Sequence, residues 1–268
     1  MMPESREMGE RRFGRVNWLG LMTLAERECR RFLTVWNQTL AAPIVTAGLF
    51  LTIFAIAIGP TRGEVMGVPF VNFIAPGILM MTVIQNAFAN VSSSIVSAKV
   101  QGNIVDTLMP PLSAGELVLG YLAGGIVRGF LVAIVIAVAI LMFLGTGLQH
   151  PLAAIAFIIV GSAFMGGLGM VAAVYAQKFD QIAAITNFIV TPLAFLSGTF
   201  YSVEAMPPVL YEITHLNPIF YLIDGVRWSV LGVSDSNPVF GFCFGLVAAI
   251  AVNLIAWWMF RTGYRLKA

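Results

Sequence analysis

Six long apolar runs, parted by short polar breaks, set the rhythm of the chain. Their limits predict membrane-spanning helices over residues 43–59, 70–97, 117–145, 152–175, 182–200 and 239–260, near the ~20 residues that a helix needs to cross the hydrocarbon layer. Ahead of the first run, Trp18, Leu21, Met22, Leu24, Ala25, Cys29, Phe32, Leu33 and Trp36 recur at helical spacing. Glu26, Arg27, Glu28, Arg30 and Arg31 fill the positions between them. That pattern predicts an amphipathic helix on a membrane surface. Residues 1–16 mix Glu and Arg with few apolar positions, so a disordered tail is expected there, and residues 17–268 form one membrane domain.

The stretch from Thr191 to Gly232 fits neither kind of segment. It is too apolar for a solvent loop, and Pro192, Gly198, Pro207 and Pro208 interrupt it too often for a clean span. Irregular backbone at membrane depth is tolerated where protein buries it or where it lines a water-filled cavity. The expectation is a fifth span that stops short of the far interface, followed by two short helices, around Tyr211 and Tyr221, that dip back into the outer leaflet. The fold class that follows is an all-α membrane protein. It has six transmembrane helices, an amphipathic helix before them, and extracellular re-entrant helices between spans five and six.

Polar positions inside the spans carry the candidate chemistry. In the second span Thr82, Asn86, Asn90, Ser93 or Ser94, and Ser97 follow at three- and four-residue steps and form an uncharged stripe on one face. Such a stripe either lines a pathway or bonds neighbouring helices to one another. Asn187, Thr191 and Phe195 align in the same way in the fifth span. In the third, Gly120/Gly124 and Gly125/Gly129 form overlapping small-residue pairs suited to close helix packing. Arg128 lies in the same span, and the expectation is a late start to that span, with the arginine reaching back to the cytoplasmic interface. Trp257 and Trp258 close the sixth span as an interfacial belt.

Composition agrees with a polytopic protein. Of 268 residues 59% are hydrophobic and 10% charged, with a mean hydropathy of +0.88, whereas soluble domains carry about 25% charged residues. The net charge of +2 implies no nucleic acid. Cys29 and Cys243 stand far apart and suggest neither a disulfide framework nor a metal pair. The first apolar run follows a long charged segment, so no cleavable signal peptide is expected. Basic residues fall mostly on the side of the two termini (Arg27, Arg30, Arg31, Lys99, Lys178, Arg261 and Arg265 among them), with only Arg62 and Arg227 opposite. The positive-inside rule therefore puts both ends in the cytoplasm.

Enzyme motifs are missing. There is no GxxxxGK[ST], HExxH or GxSxG, and His150 and His215 have no nucleophile placed beside them. The spans have no Asp, Glu or Lys at their centres, which argues against ion-coupled transport. A transporter of this kind needs its energy from another chain. A non-transporting assembly subunit and a membrane-embedded enzyme stand as the alternatives.

Two stretches resemble the ATP-binding cassette type-2 permease family. The first carries Ser197, Gly198, Phe200, Met206, Pro207, Leu216, Asn217, Pro218, Tyr221, Asp224, Arg227 and Gly232 in order, and the second is Gly102–Ser113, GNIVDTLMPPLS. Phe73–Leu79, FIAPGIL, also looks like the family's entry to its second span, so the resemblance runs from Asn17 to Tyr264. It implies a drug, glycan or lipid exporter built as a dimer, most simply a homodimer. Two P-loop ATPase subunits would carry ATP and Mg, with no cofactor on this chain. The first helix would be a connecting helix. Gln101, Gly102, Asn103, Ile104, Asp106, Thr107 and Leu108, with Lys178 and Asp180 of the next cytoplasmic turn, would couple to the ATPase. Spans two and five would line the pathway through Thr82, Asn86, Asn90, Asn187, Thr191 and Phe195. Leu216, Asn217 and Pro218, with Asp224 and Arg227, would form the extracellular gate.

Overall fold

A computed structural model describes residues 16–265; the tail expected over residues 1–16, Val16 apart, lies outside them. Helix α1 (Trp18–Thr34) leads into six spans: α2 (Asn37–Ala57), α3 (Phe70–Val100), α5 (Ala114–Leu144), α6 (Pro151–Tyr175), α7 (Phe179–Leu196) and α10 (Pro238–Thr262). The short α4 (Ile104–Leu108) joins α3 to α5. Between α7 and α10 stand α8 (Pro208–Leu216) and α9 (Pro218–Leu231), where two short helices were expected. A small hairpin, β1 (Glu64–Val65) with β2 (Val68–Pro69), precedes α3. Its tight turn puts Met66 and Gly67 at φ 54° and 76°, the left-handed pair that matches strand twist in two-residue hairpins.

The most buried span is α3, packed against α6 and α5, with α9 and α2 on its remaining sides. Close approach is built from small residues. A Cβ at Gly124 would come within 2.5 Å of the Cβ of Glu28, and one at Gly129 within 2.5 Å of Ser162 Oγ. Gly120 and Gly124 thus receive α1, while Gly125 and Gly129 receive α3 and α6, the role expected of paired small residues in a membrane. Buried Leu24, Glu28 and Phe32 form the inner stripe of α1, and Trp18, Leu19, Met22 and Trp36 remain exposed.

Both α2 and α7 leave most of their surface uncovered within the protomer. Each contains one π-helical turn, Asn37–Ala41 and Thr186–Val190, and each turn ends two residues before a proline, Pro43 and Pro192. Proline has no N–H to return to the preceding turn. The wider turn shifts the ladder just ahead of it, so that Thr191 N–H reaches the carbonyl of Thr186. Phe54 stacks on Phe200 at 4.9 Å and Phe195 on Phe200 at 5.3 Å, joining α2 to the end of α7.

Candidate functional site

Two polar assemblies sit at opposite ends of the bundle. The first joins α4 to α1 and α3. Helix α4 is a single exposed turn after Gly102, which adopts φ 73°, and it points Val105, Asp106 and Met109 outward. Gln101, Gly102 and Asn103 are exposed, Ile104 and Thr107 are buried, and Leu108 is half-buried. On its inner side Thr107 Oγ1 accepts a 2.9 Å hydrogen bond from Arg27. Arg27 pairs at 3.0 Å with Glu28, a fully buried carboxylate that also pairs with Arg31 at 3.3 Å and accepts from Ser94 at 2.8 Å. Arg31 then donates to the backbone and side-chain oxygens of Asn90, at 2.6 and 3.1 Å. A continuous chain of charge-assisted bonds therefore runs from α4 through α1 to the middle of α3. A cleft of about 680 Å³ opens beside it, between α1, the end of α3 and α4.

The stripe on α3 faces inward. Thr82, Asn86 and Asn90 are buried within the protomer. Asn86 accepts a 2.6 Å bond from Arg128 and donates to the carbonyl of Thr82 at 2.9 Å. Within the protomer Asn86 and Asn90 bond α3 to α5 and α1, whereas Thr82 donates to the Ile78 carbonyl of its own helix. The expectation for Arg128 is corrected. Because α5 begins at Ala114, with Ser113 and Glu116 forming a capping box, Arg128 sits fourteen residues in, about 21 Å along the axis. It is buried against α3 and bonded to Asn86 rather than extended back along its own helix. In α7, by contrast, Asn187 and Phe195 are exposed and Thr191 half-buried. Lys178 and Asp180 are exposed at the start of α7, and no hydrogen bond or ion pair joins them to α4 among the described residues.

Arg227 centres the second assembly. It is fully buried, pairs with Asp224 at 3.3 Å and Asp235 at 3.5 Å, and donates to the carbonyls of Gly198 and Phe73. Its guanidinium lies 4.1 Å from the centre of the Phe73 ring. Asp224 accepts from the backbone of Asp235 and Ser236, both at 2.9 Å, and from the Ser236 hydroxyl at 2.7 Å. Asn217 caps α9 through Ile219 N–H and donates to Ser197 Oγ at 2.8 Å, and Pro218 takes the first helical position, where proline is tolerated. Leu216 is 77% exposed. Asn217, Asp224 and Arg227 therefore hold α9 against the ends of α3 and α7, while Leu216 is free to meet whatever lies beyond the protomer.

Sequence reasoning missed Glu28, Lys99 and Asp235. Lys99 Nζ donates to the carbonyls of Ala173, Val174 and Ala176 and so caps the end of α6. Lys99 lies in the last turn of a long apolar helix, and a basic residue at such a point could have been read as a partner for orphan carbonyls. For Glu28, an acid amid the basic side chains of a surface helix, the periodicity carried no sign that it turns inward. His150 stacks on Trp228 at 4.3 Å, a packing role.

Residues 20–231 match the family described as ABC-2 type transporter. The chain belongs to that family. An ABC-2 permease is a transmembrane transport subunit rather than an enzyme, and its family generally works with a separate ABC ATPase. The chain is similar to the inner membrane transport permease YadH of Escherichia coli K12, at 37% identity over 252 residues, covering 94% of this chain and 98% of that one. It is also similar to nodulation protein J of Rhizobium leguminosarum bv. viciae, at 26% identity with 84% and 86% covered, and of Neorhizobium galegae, at 24% with 82% and 83%. With six helices long and apolar enough to cross a membrane, this ABC-2 permease is a multi-pass inner membrane protein.

Proposed function

We propose that this permease is the membrane half of an ATP-driven exporter, acting as a dimer with two ATP-hydrolysing chains that hold the ATP and Mg. The observation that carries the reading is α4. It presents Asp106 outward while Thr107 ties it, through Arg27, to a buried bond network that enters the spans. A push on α4 is therefore delivered to α1 and α3 together. Gln101–Leu108 would engage the ATPase, with Lys178 and Asp180 at the edge of that contact. The excess of basic residues on this side makes it cytoplasmic, with both termini there, and α8 and α9 re-enter the outer leaflet. Asn187, Thr191 and Phe195 on the uncovered face of α7 line the pathway between two copies, with Leu216 at its outer mouth. The uncharged Asn187 and Thr191 on that face suit an amphipathic, glycan or lipid-type substrate or drug better than a highly charged solute, and one relative is named a transport permease. Asp106→Cys, cross-linked in native membranes, is the test. Capture of a P-loop ATPase is expected, whereas a variant that labels freely but captures none would overturn the docking role.

A further inference from the structure

Around the inner half of α3 the positive charge is not balanced. Arg27 and Arg31 share the single carboxylate of Glu28, and no ion pair among the described residues includes Arg128. Among the described residues it bonds to the neutral Asn86 alone. Arg27 also reaches Thr107, and the nearby Glu26 is taken by Arg30 at 2.5 Å, while Asp106 is exposed on the far side of α4. Two donors in the same place lack partners: Arg128 Nε and Asn90 Nδ2, both buried. Asn86 and Asn90 are one helical turn apart on α3. The two guanidiniums they receive, from Arg128 and Arg31, therefore lie about one helical turn apart along the bundle. Arg31 lines the cleft of about 680 Å³ beside α1, so the cluster is approached from that cleft, while Thr82, Asn86 and Arg128 are buried. A water molecule could satisfy the two orphan donors, but it would leave a guanidinium charge uncompensated at membrane depth, where isolated charge is costly.

We propose that Arg128, with Arg31, Asn86 and Asn90, forms a binding site for an oxyanion, a phosphate carried on the headgroup of an acidic amphiphile in the leaflet next to α1. The guanidinium of Arg128 keeps Nε free beside its bond to Asn86, and a planar fork of donors matches a phosphate better than an ammonium would. The site goes beyond the transport reading and depends on it only in naming that leaflet cytoplasmic.

The test is lipid retention by the full chain. The permease is placed in phosphatidylcholine nanodiscs doped with phosphatidylglycerol, then released and weighed intact, so that bound lipids are counted. The wild type is expected to carry phosphatidylglycerol in excess of its share of the disc. Arg128→Gln is expected to lose about tenfold of that preference, as one charge-assisted contact implies, and Arg128→Lys, which keeps the charge but not the fork, to fall between the two, both with the helical content of the wild type. Competition with inorganic phosphate distinguishes the sources. Displacement would assign the site to a soluble oxyanion, and no displacement to the lipid headgroup. Equal phosphatidylglycerol retention by wild type and Arg128→Gln, or no preference over phosphatidylcholine in the wild type, would overturn the proposal. Because binding is read rather than transport, that failure would leave the permease assignment standing.

Discussion

Replacing Arg227 by Ala removes the hub of the outer assembly. The side chain is fully buried and makes two ion pairs, two bonds to backbone carbonyls and a contact with the Phe73 ring. Its loss leaves Asp224, 1% exposed, and Asp235 without a counter-charge. The five hydrogen bonds these acids accept from Asp235 N–H, Ser236 N–H, Ser236 Oγ, Ser202 Oγ and Val203 N–H remain, so desolvation is partly offset. Breaking a buried pair from one side costs about 3–5 kcal/mol, and the retained bonds argue for the lower end, about 3 kcal/mol. At ~2–4 °C per kcal/mol for a chain of this size, the midpoint of thermal unfolding in detergent is expected to fall by about 6–12 °C. Asp235→Asn, which removes the more distant partner and keeps an acceptor, is expected to lower it by about a third as much. The assay is tryptophan fluorescence on heating, with irreversible aggregation followed in parallel. If Arg227→Ala melts within about 1 °C of the wild type, Arg227 does not hold α9 to α3 and α7.

Glu28→Gln keeps the shape but removes the charge shared by Arg27 and Arg31. ATP hydrolysis by the assembled complex is expected to persist while transport falls at least tenfold, and an equal fall in both would contradict a coupling role. Gly124→Leu drives a side chain into Glu28 and is expected to cost about 1–3 kcal/mol or more, read as a lower unfolding midpoint; an unchanged midpoint would mean that α1 does not pack there. Lys99→Met removes three bonds to the last carbonyls of α6. An expected loss of about 1–2 kcal/mol shows as faster amide exchange over residues 173–176, and unchanged exchange would refute the cap. His150→Ala with His215→Ala is expected to leave transport within about twofold, since both rings serve in packing; abolished transport would revive the enzyme alternative.

Hydropathy made the spans legible because each must be apolar over its whole length, and the six helices fall within a few residues of the runs read from the chain. The small-residue pairs of α5 were legible for the same reason, since glycine at four-residue spacing has few uses in a membrane helix other than close contact. Where sequence reasoning ran out, the deciding fact was direction. The stripe of Thr82, Asn86 and Asn90 has the same spacing whether it faces a pathway or a neighbouring helix, and only the packing of α5 and α1 against it reveals the bonds that Asn86 and Asn90 make there. Arg128 was misread because its depth depends on where α5 begins. The cap at Ser113–Glu116 puts that start three residues before the apolar run and leaves the arginine buried. Glu28 was hidden by its neighbours. Alternating Glu and Arg on a surface helix looks like a solvated face, and only Gly124, opposite in space and distant in sequence, marks the position as interior.

The dependence of the permease on α4 is best tested by affinity purification from the native membrane, comparing the wild type with a chain whose residues 102–109 are scrambled, and measuring ATP hydrolysis in each eluate. An ATPase chain and its activity are expected with the wild type and not with the scramble, at equal permease yield and equal thermal stability. If neither eluate contains an ATPase, or if both do to the same extent, α4 is not the docking element and the coupling chain through Arg27, Glu28 and Arg31 has no partner to serve.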